Sequence, residues 1–185
     1  MSLNLPQTYL IGLCLLLLVI AILVGRQLFK VRKDELKLIK LEKEDSNTKE
    51  DSAKMYELAS VQLKKRLYPQ ATSTLKQALR KLDGEPDEAK ALIENALGFA
   101  LAAQNDFKSA VVHYKKALSA KSEYPVALNN LGFAYQRLLK EDEAYKNYQE
   151  VLKLDPNNKT AISQIKRLER IIGKDKGQLI RKKGF

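Results

Sequence analysis

The sequence predicts an all-α protein: one N-terminal transmembrane helix, then a solenoid of three helix pairs closed by a C-terminal capping helix. Three observations carry this. From Leu10 to Val24 there is no charged or strongly polar side chain. A block of sequence returns after thirty-four residues, Gly98-Phe99-Ala100 reappearing as Gly132-Phe133-Ala134. Outside the apolar run, hydrophobic and charged residues alternate at the three-and-four spacing of amphipathic helices.

The apolar run holds twelve Leu, Ile or Val residues. At about 0.3–0.6 kcal/mol each they favour insertion by about 4–7 kcal/mol. Thr8 and Tyr9 extend the run on one side, and Leu28 and Phe29 on the other, giving an anchor over 8–29. A cleaved signal peptide is the rival reading. No basic residue precedes the run, and Val24-Gly25-Arg26-Gln27 carries no small-residue cleavage pattern, so the uncleaved anchor is preferred. Arg26, Lys30, Arg32 and Lys33 flank only the C-terminal end. The positive-inside rule therefore predicts a single span with its N-terminus outside or lumenal and the rest on the cytoplasmic or stromal face.

A helical stalk and a linker follow over 30–51. Leu36, Ile39 and Leu41 lie among Lys and Glu, whereas 45–51 holds no apolar residue. Ser46 or Ser52 is a candidate cap for the next helix.

The recurrence then sets the organisation. Asn95-Ala96-Leu97-Gly98 meets Asn129-Asn130-Leu131-Gly132, while Ala110 and Tyr114 map on Ala144 and Tyr148. A thirty-four-residue period is that of a helix–turn–helix solenoid. The unit over 125–158 resembles the tetratricopeptide repeat (TPR) family at Leu128, Leu131, Gly132, Tyr135, Ala144, Tyr148, Val151 and Pro156. The unit over 91–124 keeps Leu97, Gly98, Ala110, Tyr114 and Ala117 and departs at Leu101 and Ser122. The unit over 52–90 is looser, with Met55, Leu58, Ala59, Ala71, Leu75 and Ala78, and ends at a breaker, Asp83-Gly84-Glu85-Pro86. Small residues at Ala59, Gly98 and Gly132, answered by Ala71, Ala110 and Ala144, let paired helices approach to about 8–10 Å. Leu131, Tyr135 and Tyr148 are expected to fill the space between neighbouring pairs. A capping helix over 159–172 presents Ala161, Ile162, Ile165, Leu168 and Ile172 on one stripe, with Gly173 as its stop and a basic tail over 173–185.

Composition limits the chemistry. Cys14, the one cysteine, lies in the apolar run, and His113 is the one histidine, so no metal centre built on nitrogen and sulfur is available. No phosphate-binding loop, zinc-protease motif, nucleophile elbow or calcium loop occurs. The sequence therefore predicts no enzyme, no cofactor and no small-molecule substrate. Of the net charge of +11, a large share falls after residue 158, where nine Lys or Arg face two acids. That basic end is a solvated terminus, a contact for anionic lipid or a grip on an acidic partner. Nucleic-acid binding is not expected, because no recognition fold accompanies the charge.

By analogy with the TPR family, function lies in the concave surface formed by the first helix of each pair. The groove candidates are Tyr56, Asn95, Phe99, Asn129, Asn130, Phe133 and Arg137. Stacked phenylalanines can bury side chains of a bound peptide, and asparagines can bond its backbone. The alternative is that the phenylalanines are partly core and the asparagines family consensus. Chaperone-binding TPR domains clamp a carboxylate with paired basic residues in the third unit. Here that helix offers only Arg137, with Lys166 and Arg170 on the capping helix as poor substitutes.

The whole layout resembles one family more closely. The span is followed by Gly25-Arg26-Gln27-Leu28-Phe29-Lys30-Val31-Arg32-Lys33, then Tyr56-Glu57-Leu58-Ala59, Leu67-Tyr68-Pro69-Gln70-Ala71, Ala127-Leu128-Asn129-Asn130-Leu131-Gly132-Phe133-Ala134-Tyr135 and Leu154-Asp155-Pro156-Asn157-Asn158. This is similar to the membrane-anchored TPR proteins encoded by cyanobacterial and algal plastid genomes as conserved chloroplast reading frame thirty-seven. The resemblance implies a scaffold on the thylakoid membrane that assists photosystem I assembly or stability, with photosystem I subunits or other assembly factors as partners. A general membrane-anchored TPR adaptor for chaperone or protein-translocation partners is the alternative.

Overall fold

A computed structural model describes residues 5–45, 52–82, 84 and 86–182. No strand occurs among them. The chain divides into two compact units, one holding the first helix and the other the solenoid.

Helix α1 (Leu5–Asp45) is 41 residues long. At 1.5 Å per residue it measures about 60 Å, roughly twice the thickness of a bilayer's hydrocarbon core. Its stretch Tyr9–Lys40 is long and apolar enough to cross a membrane, and none of its apolar window is buried inside the fold. Arg26, Lys30, Arg32 and Lys33 are all exposed. The expected anchor and stalk are one continuous helix, unbroken at Gly25. The expected linker after Asp45, with Ser46, lies outside the described residues.

The solenoid contains α2 (Ser52–Lys64) and α3 (Tyr68–Arg80), α4 (Asp87–Ala103) and α5 (Phe107–Ala120), α6 (Pro125–Arg137) and α7 (Glu141–Leu154), then α8 (Lys159–Lys182). Each helix packs on the next, and the first helices of successive pairs also touch, α2 on α4 and α4 on α6. Local signals set the helix starts. Proline opens α3 and α6, where its missing N–H costs nothing. Asp87 and Glu88 open α4, and Glu141, Asp142 and Glu143 open α7, matching the positive end of the helix dipole. The Asp106 carboxylate accepts from Ser109 N at 3.1 Å and caps α5.

The turn inside each pair is the same device repeated. Arg66, Asn105 and Leu139 adopt left-handed φ values of 61°, 65° and 59°. The following residue bonds back across the helix end: Leu67 to Gln62, Asp106 to Leu101 and Lys140 to Tyr135, at 2.9, 3.0 and 2.9 Å. This bond closes a Schellman cap over carbonyls the helix end leaves open.

The buried core runs through all three pairs. Ala59, Ala71, Leu75, Leu97, Ala110, Ala117, Ala144 and Val151 are completely buried. Tyr148, expected between neighbouring pairs, instead packs inside its own pair. A Cβ placed on Gly132 would lie 2.9 Å from its ring, and one on Gly98 would lie 2.7 Å from the ring of Tyr114. In the first pair the corresponding residues are Ala59 and Leu75. A smaller side chain on the second helix thus accompanies a methyl on the first.

Helix α8 also departs from the expected layout. It runs past Gly173 to Lys182. An internal glycine costs a helix about 1 kcal/mol, and no proline follows to enforce a stop. The last three residues of the expected tail lie outside the described residues.

Gly98→Ala is expected to lower stability by about 1–3 kcal/mol, because the ring of Tyr114 must yield to the new methyl and that strain outweighs the gain in helix propensity. Urea denaturation followed by circular dichroism measures it. Gly25→Ala, where an added Cβ meets nothing within 4 Å, provides the strain-free control.

Candidate partner-binding groove

Aligning the repeats places Ser60, Phe99, Phe133 and Arg167 at one shared position on α2, α4, α6 and α8. Phe99 and Phe133 are 45% and 47% exposed, so about half of each ring is already packed and half is open to a ligand. Phe133 meets Phe107 edge to face, with ring centroids 6.2 Å apart at 72°. The Arg137 guanidinium lies 5.0 Å from the centre of the Phe107 ring. Phe107 comes from the start of α5, so an aromatic of the second pair supports two groove candidates of the third.

Beside the rings runs a row of amides. Asn130 Nδ2 donates to Asn95 Oδ1 at 3.0 Å, and Asn95 Nδ2 donates to the Tyr124 hydroxyl at 3.3 Å. Burial raises the Tyr124 pKa, and neighbouring Tyr56 adds to the rise, while the Asn95 bond opposes it. Tyr56 and Leu92 line a second, smaller cleft between α2 and α4. Asn130 therefore spends one hydrogen bond and Asn95 two at the junction of the second and third repeats, and each amide keeps further capacity.

Asn129 stands apart. Its Nδ2 donates to Asn158 Oδ1 at 3.3 Å, and that same oxygen accepts from Ala161 N at 3.1 Å, capping α8. Asn129 Oδ1 is buried and has no hydrogen-bond partner among the described residues. One repeat earlier the equivalent oxygen, on Asn95, accepts from Asn130. The residue equivalent to Asn130 on α8 is Gln164, whose Oε1 accepts from Gln136 instead, at 3.1 Å.

Four rings and an arginine line a cleft of 280 Å³ near the C-terminal ends of α4 and α6. Its walls include Phe99, Phe107, Tyr114, Asn130, Phe133 and Arg137. Phe107 and Tyr114 are not among the residues expected from sequence. Both sit on second helices, which family analogy assigns to the outer layer. Burial pushes the Tyr114 phenol well above its ordinary value of 10.0, so it is protonated at neutral pH.

The one histidine, His113, pairs with a buried carboxylate, that of Glu94. Its Nδ1 lies 2.6 Å from Glu94 Oε2, with side chains 18% and 5% exposed. The signal was present in the repeat: Glu94 stands where the first and third units carry Met55 and Leu128. A carboxylate at an apolar position requires a partner. No group of acids, histidines and cysteines suited to a metal ion occurs among the described residues.

Family models for the tetratricopeptide repeat match residues 125–158 and 87–138. A protein named ycf37 from Guillardia theta is 32% identical over 165 residues, covering 89% of this chain and 93% of that protein. The chloroplastic tetratricopeptide repeat domain-containing protein PYG7 of Arabidopsis thaliana is 32% identical over 160 residues. That match covers 86% of this chain and 53% of PYG7, so the chain spans about half of PYG7's length. Among solved structures, the first TPR domain of Spaghetti (RPAP3) bound to an HSP90 peptide superposes with a TM-score of 0.61 at 21% identity, covering 66% of this chain and 96% of that one. At that identity the likeness is one of fold.

His113→Ala is expected to destabilise the protein by about 1–3 kcal/mol, because it leaves the Glu94 carboxylate buried without a partner. Installing the third repeat's residues at both sites, Glu94→Leu with His113→Asn, is expected to restore most of the loss. Thermal unfolding of the full chain reads both effects.

Proposed function

Because the chain belongs to the ycf37 family of tetratricopeptide-repeat proteins, we propose that it is a membrane-tethered scaffold that holds protein partners in its concave groove during assembly or stabilisation of photosystem I. Tetratricopeptide stacks are protein-interaction scaffolds, and this one carries the features of that role on one face. The observation that bears most weight is the pair of half-exposed rings, Phe99 and Phe133, stacked one repeat apart beside the amides of Asn95 and Asn130. Covering the open half of each ring contributes roughly 2 kcal/mol. The neighbouring amides offer donors and acceptors to a peptide backbone. Tyr56 and Arg137 extend the surface at either end.

In this reading α1 is the tether. Its apolar stretch spans the thylakoid membrane once, and Arg26, Lys30, Arg32 and Lys33 keep the solenoid on the stromal or cytoplasmic face. Confinement near a surface raises the effective concentration of membrane-bound partners, so a groove of modest affinity suffices. The plastid setting is supported by the Arabidopsis relative, whose name places it in the chloroplast. Asn129 has a different task in this scheme, since its amide already bonds the residue that caps α8.

The test is affinity isolation of the tagged full-length chain from gently solubilised thylakoid membranes. Wild type is expected to recover photosystem I subunits or assembly intermediates. The Phe99→Ala/Phe133→Ala double variant is expected to lose most of that recovery, at least tenfold on the ring contribution, while circular dichroism shows an unchanged helical fold. Chaperone or translocation components in place of photosystem subunits would favour the general adaptor.

A further inference from the structure

The second and third repeats share one plan and differ at one register. In the third, the Tyr148 hydroxyl donates to Gln136 Oε1 at 3.0 Å. In the second, Tyr114 takes the place of Tyr148 and is 1% exposed, but the residue matching Gln136 is Ala102. A methyl cannot accept a hydrogen bond. The Tyr114 hydroxyl accordingly has no partner among the described residues. Where Gln136 fills space in the third repeat, the second has a cleft of 280 Å³ walled by Phe99, Ala102, Ala103, Tyr114, Phe133 and Arg137.

Resting on the groove reading above, we infer that this cleft is a specificity pocket for a glutamate side chain from an acidic segment of the partner protein. The chain itself displays the group that satisfies such a tyrosine: a carbonyl oxygen on a two-methylene stem, Gln136. Arg137 shifts the preference from amide to carboxylate. Its guanidinium lies over the Phe107 ring and makes no ion pair among the described residues. A carboxylate in the cleft accepts from the phenol and faces this free cation, and such charge-assisted bonds are roughly twice as strong as neutral ones. The apolar walls match the methylene stem. A phenol is protonated at neutral pH, and burial raises the Tyr114 pKa further, so Tyr114 is a donor. The chain's net charge of +11 favours an acidic partner and disfavours a basic one.

The probe is acetyl-Gly-Ala-Glu-Ala-Gly-amide, with glutamine and lysine versions, titrated at millimolar concentrations into the full chain in detergent micelles. Fluorotyrosine labelling gives the readout, and Tyr114→Phe assigns the Tyr114 resonance. The glutamate peptide is expected to move that resonance saturably, roughly tenfold more tightly than the glutamine peptide. Ala102→Gln, which installs the third repeat's own plug, is expected to abolish the shift. Arg137→Gln, on an exposed side chain, is expected to bring the glutamate peptide down to the level of the glutamine one. An unmoved Tyr114 resonance, an equal response to lysine, or full binding by the Ala102→Gln protein overturns the inference. In the membrane isolation, partner recovery lost in Phe99→Ala/Phe133→Ala but kept in Ala102→Gln would also overturn it while leaving the groove standing. Recovery kept in both variants would remove the groove as well.

Discussion

Each pair in the second and third repeats depends on how closely a tyrosine ring can lie against the backbone of the facing helix. Tyr114 and Tyr148 are buried to within 1% of their surface, and the backbone each ring meets is that of a glycine. The missing Cβ lets the two axes close onto the ring, and the surrounding alanines complete the layer. The first pair solves the same problem with one carbon more on one side and a smaller side chain on the other, Ala59 with Leu75. Volume across the pair is what is held, and either partition of it leaves the facing side chains buried.

Between repeats the binding is polar and sidelong. Asn130, Asn95 and Tyr124 form a chain of hydrogen bonds across one junction, and Gln164, Gln136 and Tyr148 form another. The two chains use different positions, and the buried oxygen of Asn129 is left over where they fail to match. An unpartnered buried acceptor costs about 1–3 kcal/mol. The junction with α8 is thus the less complementary of the two.

Much of this architecture was legible in the sequence. The thirty-four-residue echo of Gly98-Phe99-Ala100 locates two of the three pairs, and the apolar spacing at Ala161, Ile165 and Leu168 locates the start of α8. Helix ends were less legible. Glycine at 173 reads as a stop, yet it costs too little to end a helix whose flanking residues favour continuing. The stalk reads as a helical continuation of the anchor despite its different composition, because composition changes what surrounds a helix without breaking its backbone. In the groove, the candidates on the first helices were legible from the family pattern. What those residues touch was not, because hydrogen bonds such as Asn130 to Asn95 depend on rotamers at a junction. The cleft was hidden for a related reason: it arises from a difference between repeats, Ala102 against Gln136, whereas repeat analysis looks for likeness. Glu94 was detectable as a charge at an apolar position, and its partner emerged only once α4 and α5 were placed side by side.

The helices of the solenoid touch the next helix and the adjoining repeat, and the most extensive contact is between α4 and α5, in the middle repeat. Such a chain has low contact order, so its ordering proceeds by local steps with little loop-closure entropy. A central hairpin can order first and serve as template for the pairs on either side, and opening proceeds inward from the ends. Amide hydrogens in α4 and α5 are accordingly expected to outlast those of α2 and α8. The stack therefore behaves as a one-dimensional zipper, and its two ends breathe independently of the middle.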